Sequence, residues 1–383
     1  MKINKHCFPN GLRLVHYEDT STQMVALNIV YDVGARDEHP EHTGFAHLFE
    51  HLMFGGSAHI PDYDTPLQLA GGENNAWTNN DITNYYLTVP KPNVETAFWL
   101  ESDRMLELAF SEQSLEVQRG VVMEEFKQRC LNQPYGDVGH LFRPLAFRVH
   151  PYRWPTIGKE LSHIEQATLD EVKSFFYRFY APNNAVLAVT GNISWDETVK
   201  LTEKWFAPIP RRDVPVRQLP QEPEQTQERR LTVERNVPLD ALFMGYHMCS
   251  REGADYYAFD ILSDILSNGR SSRLNRRLVQ EQNIFSGIDA YISGTRDAGL
   301  LQISGKPAAG VSLEQAEAAV RKELEELQRS PVDGQELEKV KNKFESTQIF
   351  GNINYLNVAT NLAWFELTGK AEDIDLEVER YRS

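Results

Sequence analysis

Hydrophobic and polar positions divide the first half of the chain into short apolar runs and longer amphipathic stretches. The apolar or alternating runs predict strands at 11–17, 24–31, 74–79, 82–89 and 184–190. The stretches with helical periodicity predict helices at 65–71, 93–109, 112–132, 136–148, 168–180 and 195–206. The run at 24–31 is almost continuously apolar and predicts a central strand, whereas the many Asn and Thr residues at 74–79 predict a strand at the sheet edge.

The same order of elements returns in the second half. It predicts strands at 230–236, 240–248, 284–293 and 298–305, and helices at 254–267, 272–281, 312–328 and 334–349. We therefore predict an α+β fold of two related units, each a mainly antiparallel sheet with helices packed on one face. The N-terminal unit spans 1–210, a linker rich in Pro, Gln and charge spans 211–229, and the C-terminal unit spans 230–383. The second unit is expected to lack counterparts of the first unit's closing helix, strand and final helix.

The stretch 43–54, TGFAHLFEHLMF, predicts a helix that carries a reactive group of side chains, with Thr43 as its N-cap. His47 and His51 are four residues apart, so both imidazoles leave one face of the helix and suit one tetrahedral metal ion. Glu50 lies on nearly the same face and can reach a water on that metal. H-x-x-E-H is the reverse of the commoner H-E-x-x-H zinc protease helix. The alternative is a pair of core or surface histidines on an amphipathic helix.

A catalytic zinc site needs a third protein ligand and one position left for water. The helix predicted at 112–132 offers Glu124 and Glu125, which follow three apolar residues, and from spacing alone either carboxylate could serve. In the second half the corresponding stretch, 259–265 (FDILSDI), has no histidine. Only the first unit is therefore expected to hold the metal.

Composition narrows the class of function. The 383 residues are 41% hydrophobic and 25% charged, which is typical of globular proteins, and the net charge of −16 argues against nucleic-acid binding while suiting basic peptides. Three cysteines, Cys7, Cys130 and Cys249, argue against a disulfide framework and a cysteine metal site. The start of the chain has no apolar signal segment, and no run is long enough for a membrane span, so we expect a cytoplasmic protein; an N-terminus lost by processing would look the same.

The context R-G-V-V-M-E-E at 119–125 resembles that of the metal-binding Glu in the pitrilysin/insulinase family of inverted zinc peptidases, which includes the mitochondrial processing peptidases. Four further stretches are similar to the family: 74–86, 150–158, 179–192 and 269–274. The resemblance implies that Zn²⁺ is held by His47, His51 and Glu125, the last of which follows His51 by 74 residues. It also implies that Glu50 is the general base.

Two departures from the family pattern concern the surroundings of this site. Gln118 stands where the family has a Glu that hydrogen-bonds around the metal ligands. Family members with larger chains hold the substrate with a C-terminal Arg and Tyr; here Arg276 or Arg277 corresponds to the Arg, and Phe285 stands in the place of the Tyr.

The expected function is a zinc-dependent endopeptidase acting on unfolded peptides. The peptide is predicted to add as a strand to the edge strand near the motif. The residues expected to contact it there are Asn74, Asn75, Ala76, Trp77 and Thr78; the alternative for Asn75 and Thr78 is a local turn role, and for Trp77 a packing role.

The resemblance further implies a clam-like dimer that encloses a chamber, either a homodimer or a heterodimer with a related subunit that supplies the Arg and Tyr. A second hypothesis is a catalytically weak or inactive subunit that binds substrate or supports a partner. A third is a zinc hydrolase that does not cleave peptides.

Overall fold

The computed structural model describes residues 1–383, and they form two compact units. The first unit contains Met1–Glu228 and Phe350–Leu376, and the second contains Arg229–Ile349 and Glu377–Ser383. The division after residue 228 falls inside the predicted linker. The prediction that 230–383 forms one unit needs correction, because the segment 350–376 belongs to the first unit.

Nine strands build two sheets. In chain order they are β1 (Ile3–Cys7), β2 (Arg13–Glu18), β3 (Met24–Tyr31), β4 (Glu73–Thr78), β5 (Thr83–Pro90), β6 (Ala185–Gly191), β7 (Leu242–Met248), β8 (Phe285–Ile292) and β9 (Gly299–Pro307). The first unit holds a six-stranded sheet in the order β1-β2-β6-β3-β5-β4, in which only β2 and β6 run parallel. The central place of β3 and the edge place of β4 are both as predicted.

Thirteen α-helices complete the two units. In chain order they are α1 (Phe45–Leu52), α2 (Asp64–Leu69), α3 (Val94–Leu106), α4 (Glu112–Phe126), α5 (Val138–Ala146), α6 (Leu161–Glu165), α7 (Leu169–Phe179), α8 (Trp195–Trp205), α9 (Tyr256–Ser267), α10 (Leu313–Arg329), α11 (Gly334–Gly351), α12 (Tyr355–Thr368) and α13 (Glu377–Arg382). Two π-helical segments, Lys127–Leu131 and Asn275–Glu281, extend the secondary structure. Measured against the length and apolar composition that a bilayer crossing requires, none of the helices qualifies.

The first sheet is covered on both faces, which explains the continuous apolar run of β3. Leu27 and Ile29 point into the larger core beneath α1, α3 and α7, whereas Ala26 and Val30 point into a smaller core built with α12. Successive side chains of a strand face opposite sides, so a strand buried twice needs apolar residues at every position. The α+β class with mainly antiparallel sheets is confirmed, but helices pack on both faces of this sheet and not on one.

The second unit has a three-stranded antiparallel sheet in the order β7-β9-β8. Its core includes Leu266, Leu278, Ile303 and Val320. The strand predicted at 230–236 does not form, and most of the helix predicted at 272–281 is the π-helical segment.

Residues 211–228, here named the strap, have no regular secondary structure but are fixed to the first unit. Three side chains, Arg212, Arg217 and Glu222, anchor the strap. Their partners are the carbonyls of Tyr180 and Leu106 for Arg212, the carboxylates of Asp32 and Asp37 for Arg217, and the amides of Arg148, Val149 and His150 for Glu222. The Pro-rich segment that was predicted to be a linker therefore has no regular secondary structure, but its side chains attach it to the first unit.

Replacing Leu362 of α12 tests the cover of the second sheet face. Leu362 is fully buried in the smaller core, so Leu362→Ala removes apolar contacts and leaves a cavity, which lowers the free energy of unfolding by about 2–5 kcal/mol. Ile353, 69% exposed in the same segment, provides the control, because Ile353→Ala is expected to change stability by less than about 0.5 kcal/mol. Denaturant unfolding measures both variants, and equal effects would contradict the packing described.

Candidate metal centre

The motif helix α1 begins one residue later than predicted, with Gly44 as its N-cap in the left-handed conformation (φ 88°). The Glu38 carboxylate accepts hydrogen bonds from the amides of Gly44 and Ala46, both at 2.9 Å, and so satisfies two donors that the helix itself leaves free. Burial raises the pKa of Glu38 to about 8, and the two amide hydrogen bonds oppose that rise. The prediction of Thr43 as N-cap is wrong, because its hydroxyl bonds the ring of His163 instead.

The apolar side of α1 fixes the direction of its reactive side. Phe49 is fully buried and its ring stacks on those of Phe175 and Tyr180, each with a centroid distance of 5.1 Å. The hydroxyl of Tyr85 donates to the Phe49 carbonyl at 3.2 Å. Because this face is held by the core, the imidazoles two residues before and after Phe49 leave the opposite side of the helix.

A buried ion pair supports the end of α1. Arg104 Nε donates to Glu101 at 2.9 Å, and both side chains are almost completely buried. The guanidinium lies within 5.0 Å of the ring centroids of Phe54, Tyr63 and Tyr85. Sequence reasoning missed this pair, since charged residues in an amphipathic helix usually indicate its solvent face.

The structure brings His47, His51 and Glu125 together from α1 and α4. Glu125 Oε2 lies 3.5 Å from His47 Nε2 and 3.3 Å from His51 Nε2. One ligand atom from each of the three residues lies within 4.8 Å of the others. Glu124, which spacing alone left as an alternative, faces solvent and pairs with Lys127 at 2.6 Å. Of the two neighbouring carboxylates, only Glu125 therefore lies with the two histidines.

The electrostatics of the cluster suit a cation. Burial lowers the pKa of His47 to about 4, so its imidazole is neutral near pH 7 and has a lone pair to offer. A hydrogen bond from His51 lowers the pKa of Glu125, which is therefore ionised. His47 Nδ1 is buried without a hydrogen-bond partner. Two imidazole nitrogens and one carboxylate form a donor set that zinc takes in catalytic sites, with a fourth position left for water.

Glu50 lies beside this cluster without belonging to it. Its carboxyl group is largely buried, and burial raises its pKa above the ordinary value. The hydroxyl of Thr78 on β4, which is buried beside this carboxyl group, opposes that rise. Because this carboxyl group is not one of the three ligands, it is able to accept and release a proton next to them.

Arg129 is a member of the site that sequence reasoning missed. It lies in the π-helical segment Lys127–Leu131, directly after α4, and its guanidinium is 3.0 Å from Glu125 Oε1. Its side chain is 69% exposed. Single π-helical turns are frequent at functional sites, and only this irregularity in a stretch predicted as plain helix marks the residue.

Gln118, at the position of the family's Glu, is not hydrogen-bonded to the metal ligands. Its side chain is partly exposed and lies beside Gly55, and it makes no hydrogen bond to His47, His51 or Glu125. The Nδ1 atom of His47 also has no hydrogen-bond partner.

The five predicted peptide-contacting residues form β4, whose side chains alternate between partly buried and exposed. Asn74 donates to Asp64 at 2.9 Å, and the side-chain oxygen of Asn75 accepts from the Ala76 amide at 2.8 Å. Trp77 is exposed. The strand therefore offers a backbone edge near Glu50, because Thr78 lies against that carboxyl group.

The three predicted residues of the second unit have different surroundings. Phe285 is fully enclosed in the core, where its ring lies over Gly305, so it has no surface left for a substrate and the predicted contact needs correction. Arg277 is engaged in ion pairs with Glu323 and Glu326. Arg276 is the exposed member of the three.

Family models and curated relatives that match this chain are described as zinc proteases or as peptidase family M16. The family model described as insulinase, peptidase family M16, matches residues 13–137, and the model described as the peptidase M16 inactive domain matches residues 166–344. Zinc protease PqqE of Helicobacter pylori is 29% identical over 338 residues, which are 87% of this chain and 76% of that protein. The uncharacterized zinc protease YmxG of Bacillus subtilis is 25% identical over 347 residues, 90% of this chain and 83% of that protein.

Solved structures show the same similarity. The crystal structure of a protease from Helicobacter pylori superposes with a TM-score of 0.94 at 26% identity and covers 99% of this chain and 93% of that one. Pitrilysin has the same fold with a TM-score of 0.75 at 18% identity; the match covers 99% of this chain but 42% of pitrilysin. Two matched domain models, relatives named zinc protease and this structural agreement show that the chain belongs to peptidase family M16, the insulinase family.

Proposed function

We propose that the protein is a zinc-dependent endopeptidase that hydrolyses unfolded peptides at the cluster of His47, His51 and Glu125. The observation that carries the proposal is the convergence of these ligand atoms within 4.8 Å, with the carboxyl group of Glu50 beside them. Two helices far apart in sequence meet at this point, and the side chains they present form a donor set suited to zinc.

Each residue of the site has a defined task in this proposal. His47, His51 and Glu125 hold the metal. Zinc, when bound, lowers the pKa of water from about 15.7 to about 7 and polarises the carbonyl that is attacked. Glu50 would take the proton of the attacking water and deliver it to the leaving amine.

The peptide adds to the free edge of β4 in this proposal. Backbone hydrogen bonds along an edge strand give affinity with little demand on the peptide's sequence. The Asn75 side chain, which accepts from the Ala76 amide in the free protein, gives way to a peptide carbonyl. Thr78 ends this strand against the carboxyl group of Glu50, so a peptide bound along the strand would lie next to the general base.

A second chain completes the enzyme in this proposal. The match to pitrilysin covers less than half of that single polypeptide, and one cluster of metal ligands is present in the two units here. A homodimer, or a heterodimer with a related subunit, would bring four α+β units around the peptide as a clam-like chamber.

A second candidate function is a substrate-binding subunit with weak or no catalysis. Two observations favour it: Gln118 does not hydrogen-bond the metal ligands, and the second half matches a model described as an inactive domain. The intact cluster of ligands with Glu50 favours the enzyme. Peptide cleavage by the purified protein, and its loss on chelation, separates these two functions. Bound zinc together with hydrolysis of a non-peptide substrate would instead indicate a different zinc hydrolase.

The neighbouring carboxylates of α4 provide a matched pair for the metal site. Glu125→Gln removes a charged ligand, so we expect zinc affinity to fall by at least about tenfold. Glu124→Gln removes the same charge from a solvent-facing position and is expected to leave the zinc content unchanged. Metal analysis after dialysis against a weak chelator measures both. Equal zinc content in the two variants would contradict the assignment.

Replacing Glu50 separates chemistry from metal binding. Glu50→Gln keeps the size of the side chain but removes the proton acceptor, so we expect kcat for an unfolded peptide to fall by about 10²–10⁴-fold while zinc stays bound. A fluorogenic peptide assay, repeated with a chelator, measures the activity, and Glu124→Gln serves as the charge-matched control. Wild-type cleavage by the Glu50 variant would rule out its role as the general base.

Dilution tests the need for a second chain. We expect specific peptidase activity to fall as light scattering shows the dimer dissociating, and to return when the concentration is raised or a related subunit is added. Constant specific activity in a sample that scatters as a monomer would show that one chain is sufficient.

A further inference from the structure

The segment between the third ligand and residue 159 departs from the acidic character of the chain. The whole protein carries a net charge of −16, yet residues 126–159 contain a single carboxylate side chain, Asp137. The cationic residues of the same segment are Lys127, Arg129, Arg143, Arg148, Arg153 and Lys159. Positive charge is therefore concentrated in the stretch that directly follows Glu125.

Part of this segment lines a cavity of about 490 Å³ in the first unit. The residues that give the cavity its chemistry are Phe147, Arg148, Arg153, Trp154, Lys159 and Glu160. Three cations exceed the carboxylates of Glu160 and of Glu222, which lies on the wall, and the two buried aromatic rings form apolar walls. Such a cavity is suited to a ligand that has both an anionic group and an apolar part.

The cations of the cavity are only partly neutralised. The guanidinium of Arg148 makes no hydrogen bond or ion pair and is exposed. Arg153 donates one bond to the Arg148 carbonyl at 3.0 Å, and its guanidinium lies over the ring of Trp154 at 5.4 Å. Lys159 pairs with Glu160 at 3.2 Å. Two guanidinium groups are therefore left to bind a carboxylate in the forked geometry that arginine favours.

The wall of the cavity already stabilises a carboxylate from the chain itself. Glu222 of the strap accepts hydrogen bonds from the successive amides of Arg148, Val149 and His150 at 2.7, 2.9 and 3.0 Å. Successive amides that converge in this way form an anion-binding site. Glu222 occupies these amides, so a carboxylate from a ligand would be bound by the guanidinium groups and not by this backbone.

The cavity is tied to both helices of the metal centre. The Lys159 amide donates to the Thr43 hydroxyl at 2.8 Å, directly before α1 begins. His140, which also lines the cavity, packs its ring against Phe126 at 5.3 Å, and Phe126 is the neighbour of Glu125 in α4. These two contacts join the lining of the cavity to the segments that carry the metal ligands.

We propose that the cavity is a binding site for peptide carboxylates, so that the enzyme favours peptides carrying acidic side chains or a free C-terminus next to the cleaved region. The site rests on the proposed peptidase function for its role, but its binding step does not need zinc. Arg148 is the central residue, because its guanidinium makes no hydrogen bond or ion pair that a substitution would break.

Binding of short peptides to zinc-free protein tests the site by calorimetry. Acetyl-tetraglutamate amide presents side-chain carboxylates only, acetyl-tetraglutamine acid presents a C-terminal carboxylate only, and acetyl-tetraglutamine amide presents neither. We expect at least one of the charged peptides to bind at least about tenfold more tightly than the neutral peptide, with an affinity that falls as salt is added. The charged peptide that gains affinity identifies the source of the carboxylate.

Arg148→Gln is expected to lower the affinity for that charged peptide by about tenfold and to leave the neutral peptide unaffected. Arg178→Gln, an exposed arginine of α7 outside the cavity, removes the same charge and is expected to have little effect. Equal binding of the charged and neutral peptides, or equal losses in the two variants, would overturn the site.

Cleavage by the zinc-loaded protein connects the site to substrate choice. Wild-type protein is expected to cleave a Glu-containing peptide with a higher kcat/KM than its Gln counterpart, and Arg148→Gln is expected to remove that preference while still cleaving the Gln peptide. A preference that survives in the variant would overturn the role in substrate choice. Carboxylate binding without any cleavage would instead overturn the proposed peptidase function and leave the site standing.

Discussion

The convergence of two imidazoles and a carboxylate in a partly buried space is the constraint on which the first unit depends. Polar groups withdrawn from water are unfavourable unless partners satisfy them, and His47 Nδ1 has none. The surrounding structure holds the ligands in place nevertheless. Glu38 fixes the start of α1, the stack around Phe49 fixes its body, and the buried pair of Arg104 and Glu101 supports its end. Such rigid support is what a preorganised metal site requires, because ligands that need not rearrange lose less entropy on binding.

The parts of the fold that could be predicted are those whose signals are local. The run of β3 and the polar alternation of β4 indicate their places in the sheet, and the structure confirms both. The outer strand β1, with the polar sequence INKHC, has no such signal and was missed. The strand predicted at 230–236 fails because alternation alone supplies no neighbouring strand to pair with. The docking of α12 on the first sheet links residues more than 300 positions apart, which no window of sequence can show.

The residues of the candidate site also differ in how far local sequence signals could predict them. Helical spacing was sufficient to place His47, Glu50 and His51 together, whereas the choice between Glu124 and Glu125 came from the family resemblance and agrees with the geometry. Other members of the site act across long sequence distances or through irregular backbone, as Glu38 and Arg129 do, so periodicity did not reveal them. Phe285 shows the opposite error, because a substitution in a family motif was interpreted as a change at a surface when the side chain lies inside a core.

The place of α12 in the chain affects how the protein is made. The first sheet is complete once β6 has been synthesised, but the residues that cover its second face follow about 180 positions later. At a translation rate of about 5–20 residues per second, the apolar side chains of Ala26, Val30 and their neighbours wait roughly 10–40 seconds for that cover. During this interval the nascent chain exposes the apolar side chains of that sheet face to solvent. Molecular chaperones that shield apolar segments are therefore most useful to this protein before α12 leaves the ribosome.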